Sequence, residues 1–404
     1  MKATLATLAL GLAAASHGQP SLDWLGDQLA FATPDGRLRV QFSGLADAEL
    51  YAFDEPAPGL VFGESALFAP RLALFGELAA GRQWFFFTQF RVDNGFDPGA
   101  VPAGEARFDE YFARWTPRED GVVSVQAGKF AASFGGWVRR HDTWTNPLIT
   151  APSLYEEVTT VGDRAAPPGP AAFVARRGQP VQKAKWLPAV WGPSYTTGAA
   201  VTGTLGEFDY AFEVKNAALS SRPYAWDAWN HDFDHPTFTG RTGWRPSARW
   251  GFGLSGSGGA YLLPDAAPTL PAGTGLGDFP QVTLGADAAW AHGRWQVWGE
   301  WMAGRFDVPR VGDADFTGGH VEAKYKATAH LFLAARANVL LFGEVPDGAG
   351  DETAWDNNLL RLDLGAGWRF NRHWQAKVQY SNVQRSDPSV AGENLVAAQF
   401  TVKF

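Results

Sequence analysis

Two stretches hold the side chains best able to do chemistry. His231, Asp232, Phe233, Asp234 and His235 bring two imidazoles and two carboxylates into five positions, a donor set that suits zinc or calcium. No open-site pattern accompanies them, and Trp226, Trp229 and Asn230 beside them suit a polar surface loop, which is the first reading; a metal site is the second. The other stretch is long and charged. Its candidates are Lys129, Arg139, Arg140, His141, Asp142, Tyr155, Glu156 and Glu157, with Arg176, Arg177, Lys183 and Lys185 further on. His141 and Asp142 have the types needed for general-base work, although a loop salt bridge accounts for them equally well. With no cysteine there is no thiolate metal site, Cys nucleophile, disulfide or CxxCH haem attachment. No Ser/His or Asp/His signature marks a hydrolase either, so neither an enzyme nor a cofactor is expected.

Opposed charges are useful in another way when they face each other across a narrow aqueous passage. There they make a transverse field that orients dipolar solutes and biases ion selection. That use requires a frame holding a wide lumen, and the rest of the chain describes one. Gly (46), Phe (29), Trp (18) and Tyr (9) favour strands, tight turns and aromatic surfaces. A net charge of −8 argues against a nucleic-acid partner, which needs a basic face.

The first residues suggest export. Met1 and Lys2 start a short basic head, Ala3 to Ala15 form an apolar run, and Ser16, His17 and Gly18 make a small-residue cleavage site. We therefore expect a signal peptide at 1–18, a periplasmic segment at 19–36 and one unit from 37 to 404. The run is too short for a spanning helix, and nothing later supplies the roughly 20 apolar residues one needs. A mean hydropathy of −0.18 still permits a membrane barrel, because only alternate strand residues face lipid.

Alternation begins at once. Leu38, Val40, Phe42, Gly44, Ala46, Ala48 and Leu50 interleave with Arg39, Gln41, Ser43, Leu45, Asp47 and Glu49. Such segments recur near 69–79, 83–93, 106–116, 121–130, 195–205, 207–217, 238–246, 249–261, 281–292, 294–306, 316–328, 331–342, 359–370, 373–384 and 394–404, giving about sixteen strands. The third to fifth have mixed faces, notably Trp84, Phe85, Phe86 and Phe87. Seven short links alternate with eight longer ones, at 51–68, 94–105, 131–194, 218–237, 262–280, 307–315, 343–358 and 385–393. This is the rhythm of an all-β, up-and-down antiparallel transmembrane barrel with both termini in the periplasm. Trp244, Trp250, Trp290, Trp295, Trp301, Trp368, Trp374 and Phe404 fall on outward positions near strand ends, as an interfacial girdle would.

The last strand, ending Phe400, Thr401, Val402, Lys403, Phe404, resembles the C-terminal strand of bacterial outer-membrane proteins. The resemblance implies that Phe404 is read by the barrel-assembly machinery. Gly128, Lys129, Phe130, Ala131, Ala132, Ser133, Phe134 and Gly135 are similar to the G-K/Q-F-x-x-P-F-G segment of phosphate-selective porins of the O and P type, with Ser133 where that family has Pro. Asp35, Gly36, Arg37, Leu38, Arg39 and Val40 resemble their first strand. The family's lysine cluster is missing, since 262–280 has neither Lys nor Arg, so the resemblance implies architecture and not phosphate selectivity.

About sixteen strands leave a water-filled lumen. The expectation is an outer-membrane porin of a Gram-negative bacterium, with 131–194 folding inward after the fifth strand to constrict it. Small hydrophilic solutes or ions would diffuse through. Arg39, Arg71, Arg241, Arg245, Arg249, Arg336, Arg361 and Arg369 on inward faces point to a basic stripe favouring anions. Bilayer lipid would surround it, and the resemblance implies a homotrimer, with Gly44, Ala46 and Ala48 small enough for close contact. The alternative is a barrel serving as scaffold or sheath for a partner, an adhesin or an electron-conduit sleeve.

Overall fold

The computed structural model describes residues 22–179, 181–224, 233–387 and 392–404; the expected signal peptide lies outside them. Sixteen long strands are present among the described residues. They are β1 (Leu38–Phe53), β2 (Ala66–Ala80), β3 (Trp84–Asp93), β4 (Glu105–Trp115), β5 (Ser124–Ala131), β6 (Tyr195–Leu205), β7 (Phe208–Lys215) and β8 (Thr237–Ser247). The second half comprises β9 (Trp250–Ala260), β10 (Pro280–His292), β11 (Trp295–Val308), β12 (Gly312–Lys326), β13 (Leu331–Phe342), β14 (Leu359–Arg369), β15 (Trp374–Arg385) and β16 (Glu393–Lys403). Each pairs antiparallel with the next. The ring closes where β1 meets β16, from Leu45 opposite Lys403 to Phe53 opposite Leu395. Closure matters because hydrocarbon offers no hydrogen bonds to an open sheet edge.

Period 2 sets the two faces. In β13 the buried lumen set Phe332, Ala334, Arg336, Asn338 and Leu340 alternates with Leu333 and Leu341 on the outside. Leu254, Leu284, Val321, Leu364, Val378 and Val396 continue the exposed apolar outer wall. At the turn end the indoles lie side by side: Trp84 and Trp115 are 6.3 Å apart, Trp250 and Trp290 6.2 Å. That geometry matches an interfacial girdle. Three turns are two-residue hairpins, 206–207, 248–249 and 293–294, and in the first and last Gly206 (φ +62°) and Gly293 (φ +57°) take the left-handed backbone such turns favour.

One link departs from expectation. Residues 307–315 are not a long loop: β11 and β12 run on and meet in a three-residue turn, 309–311, with Arg310 at φ +63°. Asp313, Ala314 and Asp315 alternate as strand, and Arg305 bonds Asp315 across the pair, so the ladder extends past its apolar part. Another departure concerns Gly44. A Cβ there would lie 2.3 Å from the Phe404 ring, so this glycine seats the chain's own last residue and is not open to a neighbour.

Below Leu45, β1 outruns β16. The strand Ala30–Ala32 takes over as its partner, with Ala30 opposite Gln41 and Ala32 opposite Arg39. The helix Leu22–Gln28 precedes it, and Asp23 pairs with Arg372 and His373 on the last turn. Inside the ring, residues 132–194 pack a core of Phe134, Trp137, Leu154, Tyr155, Phe173, Leu187 and Trp191 against wall residues such as Met302, Phe306, Phe316 and Leu340.

Candidate pore constriction

The 132–194 loop enters the lumen through the glycine-flanked segment after β5. Gly128 adopts φ +141°, and a Cβ there would lie 2.2 Å from the Tyr111 carbonyl on β4, so the wall can be this thin only with glycine. Phe134, 1 % exposed, fills the space left by Gly285, and Gly135 turns at φ +71° with Glu300 Oε1 1.9 Å from where its Cβ would stand. Glu300 on β11 then accepts hydrogen bonds from the N–H of Gly136 (3.2 Å) and Trp137 (3.3 Å) and from the Tyr155 hydroxyl (2.7 Å). On β7, Glu213 accepts from Ser133 N–H at 3.0 Å. Wall carboxylates thus hold the loop by its backbone donors, the stronger charge-assisted kind of hydrogen bond.

Further round the wall, on β13 to β15, cations bind the loop's carbonyls. Lys377 Nζ donates to the carbonyls of Thr143 (2.9 Å), Asn146 (3.0 Å) and Leu148 (3.2 Å). Arg336 donates through Nη2 to the carbonyls of Thr150 (3.1 Å) and Ala151 (2.9 Å), through Nε to Asp363 (2.8 Å) and through Nη1 to Glu322 (3.2 Å). Arg361 reaches Asp363 at 2.7 Å and also bonds Glu156 and the Thr150 hydroxyl. Burial pushes the Glu156 carboxyl up against the opposing pull of Arg361. The arrangement corrects the expected basic stripe. Arg336 and Arg361 are buried and spent on anchoring the loop, and Arg241 is 2.5 Å from Asp287. Arg369 donates to the Trp144 carbonyl at 3.1 Å, while Arg39, Arg245 and Arg249 are exposed near the turn end.

A cavity of about 490 Å³ remains between the loop's inner edge, His141 to Ala151, and the wall of β1 to β4. Its charged lining is Asp47, Arg71, Glu77, Arg91, Glu110, Asp142, Glu156 and Lys403. Behind it runs a ladder of both signs. Arg71 lies 3.4 Å from Glu49 and 3.6 Å from Asp93, Arg91 is 2.9 Å from Asp109, and Arg107 touches Asp93 (2.6 Å), Glu105 (2.5 Å) and Asp109 (2.7 Å). Facing it, His141 bonds the Tyr195 hydroxyl (2.8 Å) and the Val138 carbonyl (2.6 Å), and burial lowers its pKa. Asp142 is turned back onto the N–H groups of Trp144 and Thr145. A smaller space, about 270 Å³, lies on the other side of the loop beside Arg139, Arg140, Asp209, Arg241 and Arg245.

The sequence candidates therefore separate. His141, Asp142, Glu156 and Arg71 line the larger opening, and Arg139 and Arg140 the smaller. Lys129 is buried beneath the Pro223 carbonyl, Tyr155 is fully enclosed, and Glu157 is held by Arg385, so these three line neither. Asp234 and His235 are exposed, whereas His231 and Asp232 lie outside the described residues; among those described, no three metal-type ligands converge. Arg91, Asp93, Arg107 and Asp109 were not singled out from the sequence. For Arg107 and Asp109 the reason is a register shift in β4: Gln89 pairs with Glu110 but Phe90 with Phe108, so Asp109 is an extra residue and the alternation changes phase. A break in parity at Phe108, Asp109, Glu110 is the signal that betrays it.

No protein-family model matches the chain, and no curated protein matches it. Solved structures do. The outer-membrane channel DcaP of Acinetobacter baumannii is 9 % identical, with a TM-score of 0.60 over 93 % of this chain and 99 % of that one. An anion-selective porin from Comamonas acidovorans is 11 % identical, with a TM-score of 0.58 over 91 % and 100 %. OmpT of Vibrio cholerae, an outer-membrane protein in a trimer form, is 9 % identical, with a TM-score of 0.57 over 91 % and 99 %. With its closed ring, its apolar outer wall and this likeness, the chain has the fold of the outer-membrane porins.

Proposed function

We propose that the protein is a non-enzymatic diffusion porin for small hydrophilic solutes and ions, constricted by its 132–194 loop. The observation that carries this reading is the cavity between that loop and β1 to β4, lined by charges of both signs inside a closed barrel. Opposed carboxylates and guanidiniums orient dipolar solutes while leaving ion selection shallow. Because Arg241, Arg336 and Arg361 are matched by Asp287, Asp363, Glu322 and Glu156, and Arg245 by Asp209 (3.3 Å), the anion preference is a weak one, carried by Arg39 and Arg249 at the turn-side mouth. The trimer form of a structural neighbour supports a homotrimer here, embedded in bilayer lipid. Phe404, seated on Gly44 with bonds in both directions (2.9 and 3.1 Å), is the element offered to the barrel-assembly machinery.

Planar-bilayer recording tests the reading. Stepwise open channels, grouped in threes for a trimer, are expected, with a small anion-side reversal potential in a salt gradient. A silent membrane after verified insertion would remove the porin reading, and a strongly cationic reversal potential would remove the anion bias.

A further inference from the structure

The apolar run Trp84 to Phe87 on β3 is anomalous in a porin wall, where alternate residues should be polar. Trp84 and Phe86 face out and are exposed to lipid, yet Phe85 and Phe87 face the lumen, half-buried. They are not alone. Phe87 lies 6.2 Å from Phe75 on β2 with planes 28° apart, and 5.3 Å from Phe112 on β4 with planes 30° apart; Phe85 is 6.3 Å from Phe112. The rings form a continuous track from the turn-side mouth upward, and Phe75 and Phe87 belong to the lining of the 490 Å³ cavity.

At the lower end of the track stands Arg114, opposite Phe85 in the register. Its guanidinium is 5.2 Å from the Phe112 ring and 5.8 Å from Phe85, within cation–π range of both. Arg71, Arg91 and Arg107 on the same wall each pair with carboxylates, but among the described residues Arg114 has no carboxylate within ion-pair distance. Its Nε and Nη2 both donate to one oxygen, Gln126 Oε1, at 3.0 and 2.6 Å. A neutral oxygen holds the planar fork in place beside the rings and leaves Glu110, further along β4, as the carboxylate that acts on it without touching it.

We propose that this track is a binding site for small aromatic monocarboxylates. The ring of the solute stacks on Phe85, Phe87 and Phe112, and its carboxylate takes the charge-assisted hydrogen bond that Arg114 gives to no carboxylate of the protein. An aliphatic carboxylate satisfies only the arginine, and an uncharged aromatic only the rings. Both parts together select the class, and the site lies where a solute meets the passage below the constriction.

The site rests on the porin reading for its access to solute, so binding and conduction are measured separately. Isothermal titration of the detergent-purified barrel with benzoate is expected to show saturable binding, with acetate and benzamide each at least about tenfold weaker. Arg114→Gln and Phe87→Leu should each weaken benzoate about tenfold, while Arg114→Lys retains part of it. Resistance of each variant to SDS at room temperature verifies that the barrel has formed. In bilayers, benzoate on the turn side should interrupt the open-channel current of the parent and not that of Arg114→Gln. Equal binding of benzoate and acetate, or benzoate binding unchanged in both Arg114→Gln and Phe87→Leu, overturns the proposal even if channels conduct. Binding without any conductance sustains the site and overturns the porin reading instead.

Discussion

Asp363 shows what a single carboxylate does in this lumen. It sits between Arg336 and Arg361, 2.8 and 2.7 Å from their Nε atoms, and both arginines hold the carbonyls or hydroxyl of loop residues 150 and 151. Removing one partner from a buried ion cluster strands the rest, so Asp363→Asn should cost about 3 kcal/mol. Urea titration of folding into lipid vesicles measures it. Asp97, in the loop after β3, is buried and its pKa is raised to about 7, with Arg222, Lys183 and Arg107 pulling it down and Glu105 pushing it up. The folded chain holds this proton above the ordinary value of 3.8, so its contribution is complete below that value and is lost as pH rises through about 7. Melting temperature should fall across that window, and Asp97→Asn should flatten the fall; an identical slope in the variant counts against the assignment.

Among the elements, the inward loop depends on its entry. Gly135→Ala combines an unfavourable φ with a clash against Glu300, but it touches no strand pairing of the wall. The barrel should still assemble, and single-channel conductance should become larger and noisier as the loop is dislodged. The N-terminal strap is a second case. Ala30–Ala32 covers the edge of β1 that β16 leaves unpaired, and Asp23 ties the strap to the last turn, where Arg372 and His373 hold its carboxyl below the usual range. Deleting 22–34 should lower the temperature at which the barrel loses its SDS-resistant mobility by several degrees, since an open edge faces water and lipid headgroups. No change would mean that the edge is tolerated.

For the whole molecule, the ring and its contents have separate logic. The wall is a sequence of neighbours, each strand pairing with the next and β1 with β16, and its stability comes from closure and an apolar exterior. The lumen is assembled from residues far apart in the chain: Tyr155 with Glu300, Arg361 with Glu156, Lys377 with Asn146. Cutting the loop back between 136 and 190 should therefore leave a folded, wider channel and raise conductance severalfold, measured as the unitary step in potassium chloride. Loss of folding would show instead that the apolar core around Phe134, Trp137 and Phe306 carries the wall.

The local period of most strands, the outward tryptophans, the inward charges of β1, β7 and β10 to β16, and all but one of the long links were legible in the chain, because side-chain direction in a strand depends only on the residue's own position. The sixth long link, 307–315, misled, since a polar rim such as Asp313, Ala314, Asp315 still pairs as strand once its neighbour extends. What the sequence had no means to disclose is which charges meet. Arg336 looks like free lumen charge until Asp363 and Glu322 arrive from the neighbouring strands and Thr150 from the loop, and Arg71 looks the same. Arg114 is the reverse case: only the fold shows it beside Phe85 and Phe112 with, among the described residues, no carboxylate in ion-pair contact. Partners in space follow from register, bulges and loop path, so tertiary structure alone decided where the lumen narrows and which of its charges stay unpaired.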